Sequence, residues 1–568
     1  MSLVQKLNKR LKKAFSGKVH AELRDRCLFL SGDLDDWNDI VRAGLMSVNR
    51  KQYTVVNDII FNGGRIPPMK VPSVASNTLS GKRTDVLIIG GGIVGCAVAR
   101  ELTRYNLDIM LVEKEHDVAL HASGRNDGMI HPGLDLHKGQ LKKKYNDAGN
   151  KMFPSLCKEL DVPFKNTGQY LCFTSILLIP AVLASLYYWK RMNIPVQYIS
   201  RSKLVKNEPH LSEKVKCALY FPTAGVVCPY SLTIAYAENA INNGAKVFLD
   251  TAVIDMDVWN GKIRSALTNH GRIFPKLVIN AAGVFSEKIA RFAKDRFFSI
   301  HPRFGTNIIF DKKVSFLVNS IASIFSIFDK PLIKGVKSKG GGIVHTADDN
   351  LLAGPNAVET YQREDFSTDC DSVKSVLYKQ KKTVPELSEK DIITYFTGIR
   401  AATYEEDFIV SFGKRTYNII HAAGIQSPGL TAAPAIAVDI SKMAAAYFSA
   451  GKNEKFNPVR SGIVRPSVLS DERRDELIRK NPDYGEIICR CEGISRGEVI
   501  DSLKRSLPCD TVDGVKRRVR PGMGRCQGSY CSPQVIKIIA DVKRIPIVNV
   551  RKMNYESKIL LGDNKEDL

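Results

Sequence analysis

The stretch Asp85-Val-Leu-Ile-Ile-Gly-Gly-Gly-Ile-Val-Gly95 decides how this 568-residue chain folds. Asp85 to Ile89 is short and apolar, which suits a buried strand. Gly90, Gly92 and Gly95 follow as G-x-G-x-x-G, and from Ile93 to Tyr105 apolar residues recur at helical spacing. A second apolar run, Asp108 to Val112, closes on Glu113. Gly90 permits the tight turn, Gly92 lets a pyrophosphate reach the backbone, and Gly95 lets helix and strand pack closely. The helix N-terminus supplies unpaired N–H groups and a positive dipole end. Glu113 is placed to accept hydrogen bonds from a ribose. A glycine triplet alone is a common turn, but strand, glycines, helix, strand and acid in register point to a bound dinucleotide.

The other end of the chain carries a second signal. Cys489-Arg-Cys491 and Cys526-Gln-Gly-Ser-Tyr-Cys531 form C-x-C and C-x4-C pairs with 34 residues between them. Four thiolates converging from two close pairs suit a [2Fe–2S] cluster or a zinc ion, and the spacing leaves both open. The other eight cysteines are scattered, and Cys96 falls in the first turns of the dinucleotide helix, a usual place for a small buried side chain. With no secretory signal visible, a disulfide framework is not expected and a reducing interior, the cytosol first, is.

Further segments narrow the reading. His121-Ala-Ser-Gly-Arg-Asn-Asp-Gly-Met-Ile-His-Pro-Gly133 follows the second strand, where a nicotinamide enzyme would continue with another strand–helix unit. Ile279-Asn-Ala-Ala-Gly-Val-Phe-Ser286 and His421-Ala-Ala-Gly-Ile-Gln-Ser-Pro-Gly-Leu-Thr-Ala-Ala-Pro434 come later, the last leading into an Ala-rich helix. Together these resemble the FAD-dependent D-amino-acid-oxidase-like superfamily over roughly residues 84–450. The resemblance implies FAD, with NAD(P) as sole cofactor a distant alternative. It implies cofactor contacts from Gly90, Gly92, Gly95, Glu113, Ser123, Arg125, Asn126, Gly128, Ala281, Gly283, Gly424, Gly429, Leu430 and Thr431. His121 occupies a position where some relatives attach flavin covalently. The segment from Asp513 to Cys526 is similar to the bacterioferritin-associated-ferredoxin type of domain that ends the large subunit of anaerobic glycerol-3-phosphate dehydrogenases. That likeness favours a [2Fe–2S] cluster on Cys489, Cys491, Cys526 and Cys531, with structural zinc as the alternative. Lys516, Arg517, Arg518, Arg520 and Arg525 are then expected to offset the cluster's charge and to steer an acidic partner.

FAD takes a hydride and the cluster one electron at a time, so the pair implies a dehydrogenase passing electrons singly to a protein or quinone-linked acceptor. Phe396-Thr-Gly-Ile-Arg400-Ala-Ala-Thr403 looks like the superfamily's G-[LI]-R-[PA] segment, whose arginine binds an anionic group; the plain reading of Arg400 is a surface ion pair. His131 is the candidate general base, against a merely structural histidine, and His345, in Gly341-Gly-Ile-Val-His345, competes with it. Leu134, Asp135 and Leu136 stand where glycerol-3-phosphate dehydrogenases carry arginine and an aromatic residue. That stretch is closer to the L-2-hydroxyglutarate oxidoreductase pattern. An anionic secondary alcohol is therefore expected, glycerol-3-phosphate-like first and an L-2-hydroxy acid second. An amine or amino-acid dehydrogenase and a non-catalytic electron-transfer subunit are the readings from other classes.

Composition bounds the rest. The chain is 44% hydrophobic, enough for several cores, and its formal charge of +24 is spread along its length. No nucleic-acid-binding motif accompanies that charge, so nucleic acid is not an expected partner. Leu3, Val4, Leu7, Leu11 and Phe15 fall on one face of a basic helix, which suits docking on the body, an anionic membrane surface or organelle targeting. Ile176 to Trp189 and Ser315 to Phe328 are apolar but too short to span a bilayer, and both are expected to pack in the substrate domain.

The expected architecture is α/β, or α+β overall. A doubly wound FAD domain is assembled from residues near 84–151, 223–293 and 391–450. A mostly antiparallel substrate domain is inserted into it, and a small helical iron–sulfur domain follows. The expected boundaries are 1–83 for an N-terminal helix and proline-containing linker, 84–455 for the oxidoreductase, 456–484 for a connector, 485–542 for the cluster domain and 543–568 for a tail.

Overall fold

The computed structural model describes residues 2–325 and 341–562. The last three residues of the Ser315–Phe328 segment and the last six of the expected tail lie outside that range.

Five short parallel strands make the centre of the flavin-type domain. Lys246–Phe248, Ile109–Val112, Arg83–Ile89, Gly271–Asn280 and Ile419–Ala423 lie side by side in that order. Register aligns Ile89, Val112, Asn280 and His421 at one edge, the carboxyl edge where open α/β sheets bind ligands. The strand Arg83–Ile89 is buried on both faces from Val86 onward, as an apolar run without alternation requires. Helices Ile93–Leu102, Leu141–Glu159, Pro229–Asn242 and Gly429–Phe448 close one face over a core that includes Val86, Ile88, Val98, Phe153, Leu232 and Ile436. All ten residues of Ile93–Leu102 are buried, Cys96 among them, and Arg100 and Glu101 pair with each other there.

Among the described residues the inserted domain is a nine-stranded, mostly antiparallel sheet. Its spine is the long pair Ile300–Phe310 and Ile392–Thr403, which sets Arg303 opposite Arg400 and Gly305 opposite Gly398. The strand Ile392–Thr403 therefore belongs to this sheet, not to the flavin domain as its place in the chain suggested. Only from Ile409 onward does the chain rejoin the flavin sheet. Chain continuity could not show this, because the strand's partner is some 90 residues upstream.

Residues 2–61 form a folded unit rather than a lone helix, and the expected linker follows as residues 62–78, an extended and mostly exposed stretch that contains Pro67, Pro68 and Pro72. Leu3–Ala14 packs on the strands Val19–Arg24, Cys27–Leu34 and Thr54–Asn57 and the helix Trp37–Met46. Leu7, Leu11 and Phe15 are buried there, so the apolar stripe of the basic helix is turned inward and is not available to a membrane. Tyr404 from the large domain enters this core, and a Cβ on Gly44 would stand 2.2 Å from its ring. Glu405 accepts from Val55 N at 2.6 Å, and Thr54 Oγ1 donates to Phe297 O at 2.5 Å. The alternating Val19-His-Ala-Glu-Leu-Arg24 was the available sign of a strand.

The expected connector contains an exposed helix, Asp471–Lys480, capped by Ser470. Its start is tied down by Arg460, which donates to buried Glu238 at 2.7 Å. The cluster domain packs helices Arg496–Leu503, Val512–Val519 and Ser532–Lys543 on a two-stranded ladder, Ile487–Cys489 with Ile494–Ser495. Its core includes Val550, so the chain beyond residue 542 is part of this unit rather than a separate tail up to that point. No helix among the described residues is long and apolar enough to cross a membrane.

Candidate active site and cluster site

A cavity of about 580 Å³ runs from the carboxyl edge of the parallel sheet to the underside of the inserted sheet. At the sheet end, the glycines do what their spacing requires. A Cβ on Gly90 would lie 2.5 Å from Ala281 O, and one on Gly95 would lie 1.9 Å from Gly90 O. Glu113 accepts from Gly91 N and Glu115 N, and burial pushes its carboxyl above the usual range. Ser123 Oγ accepts from Ile93 N at 2.8 Å, holding the following loop against the helix N-terminus. Arg125 donates to Leu120 O and lies 4.2 Å over the Phe366 ring, while Asn126 Oδ1 accepts from Gly128 N. Asn280 and His421 meet at 3.1 Å, and His421 reaches Asp295 at 2.9 Å; this buried triad locks two strand ends together.

Of the expected contacts, Gly90, Gly92, Glu113, Ser123, Arg125, Asn126, Ala281, Gly283, Gly429 and Leu430 line the cavity. Gly95, Gly128, Gly424 and Thr431 stand behind its wall. Gly128 and Gly424 have φ of +69° and +65°, a backbone that glycine adopts without strain. Thr431 Oγ1 accepts from His131 N at 2.8 Å. His131 lines the cavity, and its carbonyl accepts from Asn150 Nδ2. Arg400 lines it too, donating from both terminal nitrogens to Asn356 O at 3.1 and 3.2 Å. Burial, with Arg303 alongside, lowers its guanidinium to about 10. A Cβ on Gly305 would stand 2.4 Å from Arg400 Nη2, so Gly305 makes room for the guanidinium.

His345 does not reach the cavity. Gly342 and Val344 of the strand Gly342–His345 line it, so the pleat turns His345 to the other side. There it meets Val318 O at 2.7 Å and Asp349 at 3.1 Å. Two lining residues carry a signal that spacing did not reveal. Among the described residues Gln169 Oε1 and Asn307 Oδ1 are buried without a hydrogen-bond partner, an arrangement that calls for a donor from a bound molecule. An amide in a strand has no sequence mark that distinguishes it from a structural one. His121 lines the cavity and pairs with Glu115 at 2.9 Å. The length of the cavity, its glycine cradle, Glu113 and the two orphaned oxygens fit an extended dinucleotide with a small substrate at its end.

The four paired cysteines converge in the small domain as two pairs. Cys489 faces Cys531, and Cys491 faces Cys526. The contact with Cys531 and backbone N–H groups of Gly522 and Glu492 lower the Cys489 thiol to about 6. The N–H groups of Tyr530 and Gly528 lower Cys526. Among the described residues no three of these sulfurs lie within 4.8 Å of one another. A tetrahedral zinc with bonds of about 2.3 Å would hold all four sulfurs roughly 3.8 Å apart, so two separated pairs suit a two-iron cluster. A Cβ on Gly524 would stand 2.3 Å from the Cβ of Cys491, so only glycine lets the two loops meet there.

The basic run before Cys526 is largely turned inward rather than toward a partner. Arg518 donates to Asp117 at 2.8 and 3.2 Å, with both side chains almost fully buried. Arg520 meets Glu492 at 2.9 Å and Asp348 at 2.8 Å, and Lys312 joins Glu492 at 3.0 Å. Tyr230 Oη lies 3.2 Å from Met523 Sδ. These contacts fasten the cluster domain to both parts of the large domain. Arg525, at 73% side-chain exposure, is the member of the run that faces solvent most fully.

Residues 85–443 match the FAD dependent oxidoreductase family, and residues 487–541 match the BFD-like [2Fe-2S] binding domain. The chain is 39% identical over 490 residues to glycerol 3-phosphate dehydrogenase of Caloramator mitchellensis, covering 85% of this chain and 99% of that one. L-2-hydroxyglutarate dehydrogenase of Indibacter alkaliphilus is 26% identical, over 64% of this chain and 99% of its own length. FAD-bound L-alpha-glycerophosphate oxidase from Mycoplasma pneumoniae superposes with a TM-score of 0.61 at 26% identity, covering 67% and 98% of the two chains. With the glycine cradle and the paired thiols already in place, the chain belongs to the FAD dependent oxidoreductase family and carries a C-terminal [2Fe–2S] domain for electron transfer.

Proposed function

We propose that this oxidoreductase dehydrogenates glycerol-3-phosphate, with Arg400 and His131 as its working residues. The observation that carries the reading is a cavity wall combining a buried guanidinium, an imidazole and the orphaned oxygens of Gln169 and Asn307. Arg400 holds the phosphate by paired hydrogen bonds. Gln169 or Asn307 accepts from the substrate's terminal hydroxyl, which satisfies an oxygen that otherwise costs desolvation energy, and leaves the hydroxyl of the reacting carbon to donate to His131. His131 takes the hydroxyl proton from the carbon that loses hydride, and Thr431 holds its backbone in place. FAD, when bound along Gly90, Gly92, Glu113, Ser123, Arg125, Asn126, Ala281, Gly283, Gly429 and Leu430, supplies the hydride acceptor. The relative named glycerol 3-phosphate dehydrogenase, matched over nearly all of its length, supports this substrate.

Cys489, Cys491, Cys526 and Cys531 would hold the [2Fe–2S] cluster, which would supply one-electron transfer out of the enzyme. The acceptor is a separate acidic one-electron carrier that docks where Cys491 is exposed beside Arg490 and Arg525. Leu134, Asp135 and Leu136 line the cavity and favour a second substrate, an L-2-hydroxy acid whose carboxylate Arg400 would bind. Anaerobic bleaching of the flavin separates the readings. Glycerol-3-phosphate should bleach it in a single turnover; bleaching by L-2-hydroxyglutarate or an amino acid, but not by glycerol-3-phosphate, would replace the substrate.

A further inference from the structure

The helix Ile179–Arg191 of the inserted domain carries apolar side chains on both its inner and outer faces, and among the described residues only the inner half is covered. Val182, Leu186 and Trp189 face inward, against Phe173, Ile194 and Phe221, with Trp189 edge-on to Phe221 at 5.6 Å. The opposite half presents Pro180, Ala181, Leu183, Ala184, Tyr187 and Tyr188 to solvent. Tyr187 is 69% exposed, and in the preceding turn Ile176 and Leu177 are 64% and 89% exposed. The segment packs in the inserted domain as expected, but only by its inner face. A helix apolar on every side is normally enclosed, and a contiguous exposed apolar patch marks a surface that meets something.

Charge and aromatic placement identify the occupant. The outer stripe holds no charge until Lys190 and Arg191, both exposed, directly after the tyrosine pair. From residue 162 to residue 207 the sequence has six basic residues and no Asp or Glu. An outer face of apolar and tyrosine side chains flanked by cations is the composition of a helix that lies in the interface of an anionic bilayer, with its apolar side chains toward the acyl layer and its cations reaching the headgroups. A protein partner with an apolar face would not require the missing acids, whereas an anionic surface would repel them.

We infer that Ile176–Arg191 seats this enzyme on an anionic lipid surface, lying in the interface with Leu177, Leu183 and Tyr187 in the lipid and Lys190 and Arg191 at the headgroups. The inner half of the helix is held by its own core, so the outer half can be changed without unfolding the domain. Trp189 and Leu171 also line the flavin cavity, so the contact places the cavity's inserted-domain end close to the membrane plane.

The test is sedimentation of the flavin- and cluster-loaded full chain with phosphatidylcholine vesicles, with and without phosphatidylglycerol, at low salt. The native chain should pellet with the anionic vesicles. Leu183→Glu combined with Tyr187→Glu should lower partitioning about tenfold or more while the flavin spectrum stays native. Lys190→Glu with Arg191→Glu should remove the preference for phosphatidylglycerol. The inference is overturned if the native chain stays in the supernatant with both vesicle types, or if the Leu183/Tyr187 variant pellets as the native chain does. It is overturned equally if light scattering finds a dimer that this variant makes monomeric, since a second copy then covers the helix. Substrate bleaching in solution is independent of all three outcomes, so failure here and failure of the glycerol-3-phosphate reading are told apart.

Discussion

Arg400 and His131 are the residues on which the proposed chemistry can be lost without loss of the fold. Arg400→Gln keeps a hydrogen-bonding side chain but removes the charge and the fork geometry. It should raise KM for glycerol-3-phosphate about a hundredfold, with cofactor content unchanged, as steady-state kinetics and the visible spectrum would report. His131→Asn should lower kcat by about 10²–10⁴-fold with a smaller change in KM. A third effect lies away from the cavity. Burial, then the nearby Asp510 and Glu115 carboxylates, raise Asp250 to about 6. The folded state therefore holds a proton there that the unfolded chain releases near pH 4, and stability from this group falls as pH rises from about 4 to about 6. Asp250→Asn removes the charge and keeps a side chain tolerant of the positive φ at this position. It should stabilise the protein by roughly 1–2 kcal/mol at pH 8 and by nothing measurable at pH 4, read from urea midpoints at the two pH values.

At the scale of elements, close approaches decide which loops can carry a site. The turn at Gly524 lets Cys491 and Cys526 share one end of the cluster, because a side chain there would occupy the position of the Cys491 Cβ. Gly524→Val should abolish iron and sulfide incorporation while leaving flavin binding intact, which metal and flavin assays on the same preparation would show. The long pair Ile300–Phe310 with Ile392–Thr403 works similarly, since Gly305 opens the space that Arg400 fills. The G-x-G-x-x-G turn was legible because its spacing is itself the packing rule. Gly305 and Gly524 were not, because the atoms they avoid come from distant parts of the chain.

At the scale of the molecule, buried ion pairs make the cluster domain part of one body with the flavin domain. Breaking the Arg518–Asp117 pair by Arg518→Met leaves Asp117 buried with Arg517 at 3.6 Å as its remaining cation. This should destabilise the protein by about 3 kcal/mol, and the double variant Asp117→Asn/Arg518→Met by clearly less, as thermal unfolding would measure. The N-terminal unit is part of the same body. Tyr404 fills its core and Glu405 hydrogen-bonds its strand, so residues 2–61 cover surface that the large domain does not close by itself.

What the sequence alone determined is local in origin: the dinucleotide turn with Glu113 and the C-x-C and C-x4-C pairs, each readable because its chemistry needs fixed residue types at short spacing. Arg400 was marked by the resemblance of its segment to a known family, and His131 was a candidate on the chemistry of an imidazole. The rest depended on contacts between residues far apart in the chain. His345 was removed from the site by the pleat of its strand. Gln169 and Asn307 entered it because no partner among the described residues satisfies their oxygens. The basic run was turned inward by Asp117, Glu492 and Asp348, which lie at remote positions. The outer face of Ile179–Arg191 remained uncovered although its composition matches a core helix. Burial and pairing of this kind are set by three-dimensional neighbours, and composition along the chain does not encode which neighbours those will be.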